Sequence, residues 1–253
     1  MGLNSIGVTR FPGGVNNQPE NTIFGGQLPF PFSLDYAVFD DDFFDYTAAQ
    51  WTVTETQAGA TQAIANPGSG GLIALVNSAA DNDLNAIQRV AAGVTGESWT
   101  LIPAKRTWAR FRVGIDSVLL CDMVAGLQIT DATPLAVSDG MFFRKPEATA
   151  VVSLVSVKDA AESLLTVGNA IAATVAATGI VANFMNLDFF WDGQGVTDGR
   201  LYGALNGVIG GYSQPGATSF PDDEALTLSF AVQNNTAVAR TMWLDRAIVI
   251  QER

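Results

Sequence analysis

The fold is decided by Arg106–Lys145, which reads RTWARFRVGIDSVLLCDMVAGLQITDATPLAVSDGMFFRK. Within Trp108–Ile115, apolar side chains alternate with a mostly polar row, and this period of two places the apolar row on one face of a strand. Cys121–Thr130 is more continuously apolar, which is typical of a strand near the middle of a sheet. A turn signal at Thr130–Pro134 precedes a third apolar run, Gly140–Arg144. The stretch predicts an antiparallel sheet over a deep core, and it contains no catalytic signature.

The strand pattern continues along the rest of the chain. Further strands are predicted at Gln50–Glu55, Gly71–Asn77, Leu84–Val90, Ser98–Ile102, Val151–Val157, Ser163–Val167, Phe184–Trp191, Arg200–Leu205, Val208–Tyr212, Ala225–Gln233 and Thr241–Gln251. Asn206-Gly207 is the strongest hairpin signal in the chain, and Asp159 marks a second hairpin. About fourteen short strands, with short connections and no amphipathic helix, predict an all-β antiparallel sandwich.

Composition argues against several classes of function. The chain has 13 basic and 25 acidic residues, a net charge of −12, which argues against binding to nucleic acid or to an anionic membrane surface. It has no histidine, and so lacks the commonest general base and the commonest metal ligand. The single Cys121 lies in an apolar run and is interpreted as a buried structural thiol, consistent with synthesis in a reducing compartment.

Two segments raise the question of membrane targeting. The N-terminal residues MGLNSIGVTRF lack the basic region and apolar run of a secretory signal. Ser163–Leu187 carries no charge, but it is rich in Gly, Asn, Thr and Ala and is not strongly apolar. Strands with turns at Gly168-Asn169 and Thr178-Gly179 fit this segment better than a transmembrane helix does.

Residues 1–37 differ from the remainder, the sandwich domain of residues 38–253. Gly and Pro recur in residues 1–37, and the apolar residues are spaced singly, without a helical or strand period. A disordered tail is one interpretation, but disordered segments are usually poor in aromatic residues and this one contains four Phe. We therefore expect an extended arm that lies on a partner surface. Its predicted anchors are Arg10, Phe11, Ile23, Phe24, Phe30 and Phe32.

Three groups of residues invite a chemical interpretation. A glycosidase needs two carboxylates held across the scissile bond, and no predicted strand carries a Glu-x-Asp-x-Glu pattern; Asp40 and Asp42 have the spacing but lie at the start of the domain. Asp81–Asn85 resembles part of a calcium loop, although a plain turn explains it better. The five Trp residues could form a sugar platform, but their apolar neighbours favour packing. No catalytic, cofactor or metal-binding residue is predicted.

The strand phrases, taken in order, resemble a family of tailed-bacteriophage virion proteins. The phrases are QWTVTET, DNDLNAIQRV, KRTWARFRV, AGLQITDATPLAVSDGMFFRK, DFFWDG, FPDDEALTLSFAVQN and MWLDRAIVIQER, and the resemblance covers Phe39–Arg253. It implies a concanavalin-like, or jelly-roll, β-sandwich that decorates or cements the outside of a capsid by binding the major capsid protein. It also implies a homo-oligomer, expected to be a trimer, and gives no catalytic residues to carry over.

The sequence thus predicts a non-enzymatic virion structural protein, made in the host cytoplasm and placed on the outer capsid surface. A carbohydrate-binding, lectin-like module is the alternative. An exposed groove of aromatic and amide side chains would favour the lectin, whereas an arm that grips a neighbouring subunit would favour the cement protein.

Overall fold

The computed structural model describes residues 36–65, 71–90, 97–176 and 180–253. These residues form two large antiparallel sheets and one small one. The eight-stranded sheet contains β1 (Tyr36–Asp41), β3 (Thr61–Ile64), β4 (Ile73–Val76), β6 (Thr107–Ile115), β13 (Met185–Trp191), β14 (Leu201–Leu205), β15 (Val208–Ser213) and β17 (Thr241–Glu252). The seven-stranded sheet contains β2 (Trp51–Glu55), β5 (Leu84–Arg89), β7 (Cys121–Gln128), β8 (Gly140–Lys145), β9 (Val151–Lys158), β10 (Ala161–Asn169) and β16 (Thr227–Asn234).

The order of the strands shows a fold built by non-local pairing. The eight-stranded sheet runs β15-β14-β13-β6-β17-β4-β3, with β1 paired to the C-terminal part of β17. The seven-stranded sheet runs β10-β9-β8-β7-β16-β5-β2, so β7 lies in the middle, as its continuous apolar run predicts. The small sheet pairs β11 (Thr174–Val175) with β12 (Val181–Ala182). A 3-10 turn, Ala48–Gln50, and a one-turn helix, α1 (Gly195–Asp198), complete the described elements. The predicted all-β antiparallel sandwich is confirmed.

The core lies between the two large sheets. The predicted inward row of β6 is fully buried; it consists of Ala109, Phe111, Val113 and Ile115. The ring centroid of Phe111 lies 6.5 Å from that of Phe143, 6.3 Å from that of Phe189 and 5.9 Å from that of Phe230. Because Phe143 and Phe230 belong to the opposite sheet, this aromatic cluster joins the two layers.

The turns follow from local chemistry. Asn206 and Gly207 have φ of 52° and 78°, the left-handed pair that a tight two-residue hairpin turn requires, so the predicted hairpin β14–β15 is confirmed. Asp159 and Ala160 also have positive φ and join β9 to β10, as predicted.

Two local predictions are wrong. Residues 98–102 do not form a strand; Trp99 makes only an isolated bridge to Leu226. No turn occurs at Gly168-Asn169, because β10 continues to Asn169. The pairing register of β10 with β9 shifts by one residue between Thr166 and Gly168. The other turn predicted in this region, Thr178-Gly179, lies outside the described residues. In the part of the chain that the structure describes, no helix is long and apolar enough to span a membrane.

Candidate functional site

The outer face of the seven-stranded sheet is covered by the chain itself. The covering segment, residues 129–139, joins β7 to β8. Leu135 and Val137 of this segment pack against Phe142 and Val155, whose side chains face away from the main core. Val137 is only 5% exposed and Phe142 only 1%, so this contact forms a second apolar cluster above the sheet.

Buried amides fix the covering segment in place. The side chain of Gln88 on β5 is fully buried; its Nε2 donates to the carbonyl oxygen of Ile129 at 2.9 Å, and its Oε1 accepts from the backbone nitrogen of Asp131 at 2.9 Å. Gln128 on β7, also fully buried, donates to the carbonyl oxygen of Pro134 at 3.0 Å. The centre of this face is therefore a packed layer and not an open groove.

A pocket of about 420 Å³ lies at one end of the sandwich. It is formed by β1, the ends of β5 and β17, the start of β16, and the residues beside Trp99. Its lining combines apolar and aromatic side chains with amides and a cation, notably Ala37, Phe39, Gln50, Arg89, Trp99 and Gln251. The volume lies within the range of small-ligand sites, and this combination can hold a polar ligand that has one apolar face.

Arg89 is the best-defined cation at the pocket. Its guanidinium carbon lies 5.2 Å from the ring centroid of Trp51 and 5.7 Å from that of Phe39. One guanidinium nitrogen is 3.6 Å from Oδ2 of Asp41. The two rings and the carboxylate fix the guanidinium beside β1 and partly balance its charge.

Asp40, one of the two carboxylates considered for glycoside hydrolysis, lies in an ion pair, and so do Asp222 and Asp223 in the acidic turn after Pro221. Both oxygens of Asp40 accept from Arg246, at 2.9 and 2.7 Å. Asp222 lies 2.6 Å from Nζ of Lys158, and Asp223 lies 3.3 Å from it. These groups pair with neighbouring cations at the surface, and the pairing explains their positions without a catalytic role.

Within Asp81–Asn85, the side-chain oxygens of Asp83 and Asn85 accept hydrogen bonds from the protein itself. Oδ1 of Asp83 accepts from Thr56 Oγ1 at 3.1 Å and from the backbone nitrogen of Gln57 at 2.9 Å, and Oδ2 accepts from the backbone nitrogen of Ser78 at 2.6 Å. Asp83 is fully buried, and the chain turns at Asp81 and Asn82, where Asn82 has a φ of 57°, so the turn interpretation is confirmed. Among the described residues, no group of three or more acidic, histidine or cysteine side chains could hold a metal ion.

Cys121 is a buried thiol, as predicted. Its Sγ donates to the carbonyl oxygen of Ser117 at 2.9 Å, and burial raises the pKa of the thiol to about 11. The nearby ammonium of Lys145 opposes this rise in the pKa but does not overcome it. Cys121 is therefore a structural residue with little thiolate at neutral pH.

The five Trp side chains are buried, which confirms the packing interpretation. Their exposed fractions are 6% for Trp51, 9% for Trp99, 6% for Trp108, 0% for Trp191 and 8% for Trp243. Trp191 also donates from Nε1 to the carbonyl oxygen of Pro103 at 2.9 Å. They offer no open stacking platform, and only Trp99 lines the pocket described above.

The predicted arm anchors, Arg10, Phe11, Ile23, Phe24, Phe30 and Phe32, lie outside the described residues. The described chain begins with β1, whose Tyr36 pairs with Glu252 on β17. The pocket and the covering segment were both missed by the sequence analysis. Leu135 and Val137, two apolar residues at alternate positions in an apparent loop, were the available signal for the covering segment.

An apolar row on the outer face of the eight-stranded sheet was also missed. Strand register places Trp108, Phe190, Tyr202 and Tyr212 side by side on β6, β13, β14 and β15. The ring centroids of Phe190 and Tyr202 are 6.2 Å apart, and those of Tyr202 and Tyr212 are 5.7 Å apart. Because each of these residues lies on a different strand, only the pairing register reveals the row.

Comparison with known proteins identifies the fold but not a family. No protein-family model and no curated protein sequence matches the chain. Among solved structures, the chain is similar to a Shewanella oneidensis MR-1 protein of unknown function, with a TM-score of 0.54, 14% identity, and coverage of 86% of this chain and 87% of the other. It is similar to peanut lectin, with a TM-score of 0.52, 9% identity, and coverage of 85% and 97%.

A third similar structure is an enzyme, the endo-β-1,3(4)-glucanase SCLam of family GH16. Its TM-score is 0.53, with 12% identity and coverage of 87% of this chain and 93% of the other. At this level of identity the three similarities show a lectin-like, concanavalin-like jelly-roll β-sandwich and nothing more specific. They confirm the predicted fold class. The same fold serves lectins and glycosidases, and capsid decoration is not tested by these comparisons.

Proposed function

We propose that this protein is a virion structural protein that decorates and cements the outer surface of a tailed-phage capsid by binding the major capsid protein. The observation that carries the proposal is the covered outer face of the seven-stranded sheet. Because Gln88 and Gln128 hold residues 129–139 over its centre, a polymer cannot lie across the middle of this face. A sandwich whose outer face is covered at its centre suits an attachment role better than polysaccharide processing.

The sequence resemblance supports the same proposal. The longest resembling phrase, AGLQITDATPLAVSDGMFFRK, contains the covering segment together with part of β7 and all of β8. The other phrases contain β2, β5 and β16 and parts of β6, β13 and β17, so the resemblance spans both sheets. The acidic composition is compatible with a protein partner and unfavourable for contact with encapsidated DNA.

Binding to capsid shells tests the proposal. Shells are assembled from the major capsid protein of the same phage genome, in compact and expanded forms, and are sedimented with increasing amounts of this protein. We expect saturable co-sedimentation and regularly spaced added density on the outside of the shells by electron microscopy. Shells of an unrelated phage are the control. Absence of binding to both forms of the matching shell would overturn the proposal.

A carbohydrate-binding role is the second candidate, and the end pocket favours it. Trp99 and Phe39 supply aromatic surface, Gln50 and Gln251 supply amides, and Arg89 supplies a fixed cation, a set of groups that suits a sugar ring. A glycan array probed with the labelled protein tests this role. We expect Gln50→Ala to abolish any specific signal and Gln233→Ala, at a half-buried position of β16 outside the pocket, to preserve it. An array without specific binding would remove this candidate.

A further inference from the structure

One part of the outer face of the eight-stranded sheet is apolar and exposed. We call it the β13–β15 face and define it by Phe190, Tyr202, Ile209 and Tyr212, which the register of β13, β14 and β15 places on the same side. Ile209 and Tyr212 are each 50% exposed. Exposed apolar side chains that are contiguous across several strands mark a surface for protein contact.

The distribution of charge indicates which molecule binds the β13–β15 face. The chain has a net charge of −12, yet residues 201–221, which form β14, β15 and the following loop, contain no charged residue. The nearest cation is Arg200, whose guanidinium carbon lies 4.8 Å from the ring centroid of Tyr212. Two copies of such an acidic protein repel each other through most of their surfaces, whereas this face can meet its own copy without opposing carboxylates.

Direct pairing of β15 with another strand is hindered. Among the described residues, β15 pairs only with β14, and a register shift leaves Gly210 as an extra residue in the middle of β15. A Cβ at Gly210 would lie 2.6 Å from the Cα of Val167 on β10, so the backbone at Gly210 packs directly against the other sheet. A bulge at an edge strand interrupts the row of hydrogen-bonding groups that a new strand would need.

We infer that a second copy of this chain docks on the β13–β15 face through side chains, giving a homo-oligomer. This inference goes beyond the proposed function and does not depend on it, since a lectin could use the same contact. The arrangement is self-complementary because each copy presents an apolar face whose strands β14 and β15 carry no carboxylate, with Arg200 at its edge. The acidic remainder of the surface stays in water and keeps the oligomer soluble.

Ile209→Glu tests the inference, and Ile64→Glu is the matched control. Ile64 is 44% exposed and lies on β3, the opposite edge strand of the same sheet. The full-length protein and both variants are compared by sedimentation velocity and light scattering at micromolar concentration. We expect wild type and Ile64→Glu to have the mass of an oligomer and Ile209→Glu to have the mass of the monomer. Unchanged thermal unfolding of monomeric Ile209→Glu shows that it is folded.

Two outcomes would overturn the inference. One is a monomeric wild-type protein at these concentrations. The other is a folded Ile209→Glu variant that keeps the oligomer mass, which would place the contact elsewhere. Capsid binding is measured separately with the same variants, so a failure of the proposed function can be distinguished from a failure of this inference. A monomeric wild type whose capsid binding is lost in Ile209→Glu would assign the face to the capsid protein.

Discussion

Phe111 lies at the point where the two sheets meet, and its side chain is fully buried. It contacts aromatic rings from both layers, so truncation would leave a cavity that the surrounding strands cannot fill. We expect Phe111→Ala to lower the free energy of unfolding by ~3–5 kcal/mol, measured by denaturant titration. Phe44→Ala is the control, because Phe44 is 69% exposed. A loss under ~1 kcal/mol would contradict the assignment of Phe111 to the core.

Cys121 offers a second test at the level of a single residue. Burial raises the pKa of its thiol to about 11, whereas an unfolded thiol titrates at ~8.5. At pH 8 the native protein should therefore react with a maleimide at least ~100-fold more slowly than the protein in denaturant.

The raised pKa of the Cys121 thiol also affects the pH dependence of stability. The stabilisation from the neutral thiol is complete below pH ~8.5 and is lost as the pH rises towards 11. Rapid stoichiometric labelling of the native protein would contradict the buried assignment.

At the scale of elements, the covering segment depends on Gln88. Removal of its amide leaves the backbone nitrogen of Asp131 and the carbonyl oxygen of Ile129 without their buried partner, at a cost of ~1–3 kcal/mol for each group. We expect Gln88→Ala to release residues 129–139 and to allow proteases to cleave there, as detected by mass spectrometry. Gln233→Ala should not do so, because Gln233 donates to Asn82 at an exposed site. Equal resistance in both variants would show that apolar packing alone holds the segment.

The elements that the sequence analysis identified share a local signal. In β6, apolar residues alternate with mostly polar ones, and β7 and β8 are mostly apolar runs. The β14–β15 hairpin contains an Asn-Gly turn. Strand β1 has no such signal, because Asp40 and Asp41 suggest a loop and the strand is held only by its pairing with β17. Strand β3 is short and mostly exposed, so its sequence shows no alternation of buried and exposed residues that would identify a strand. Non-local pairing explains why both were missed.

The candidate sites were harder to predict because they are assembled from distant parts of the chain. The pocket brings together residues from β1, β5, β16 and β17, and no single segment contains enough of it to be recognised. The covering segment has a recognisable apolar pair, Leu135 and Val137, but its position over β9 follows only from the tertiary fold. Composition predicted the acidic surface, whereas the β13–β15 face could be located only from the pairing register of the strands.

At the scale of the whole molecule, the arm remains the main prediction about attachment. The described chain starts at Tyr36 on β1, beside the end pocket. Removal of residues 1–32 leaves β1 and its pairing with β17 complete. We therefore expect the truncated protein to stay folded and soluble, with a thermal unfolding transition close to that of the full chain.

We expect the same truncation to abolish saturation of capsids, because the arm should bind a neighbouring virion subunit. Burial of each Phe on a partner contributes ~1.5–3 kcal/mol, whereas ordering costs ~1–2 kcal/mol for each fixed residue. The balance favours a few Phe anchors separated by loose stretches, with Pro limiting the entropy that the free chain loses on binding. Phe30→Ala combined with Phe32→Ala should then weaken shell binding in the full-length protein, while Phe44→Ala on the sandwich should not. If the truncated protein decorates shells with unchanged affinity, the docking surface lies on the sandwich and the arm has no anchoring role.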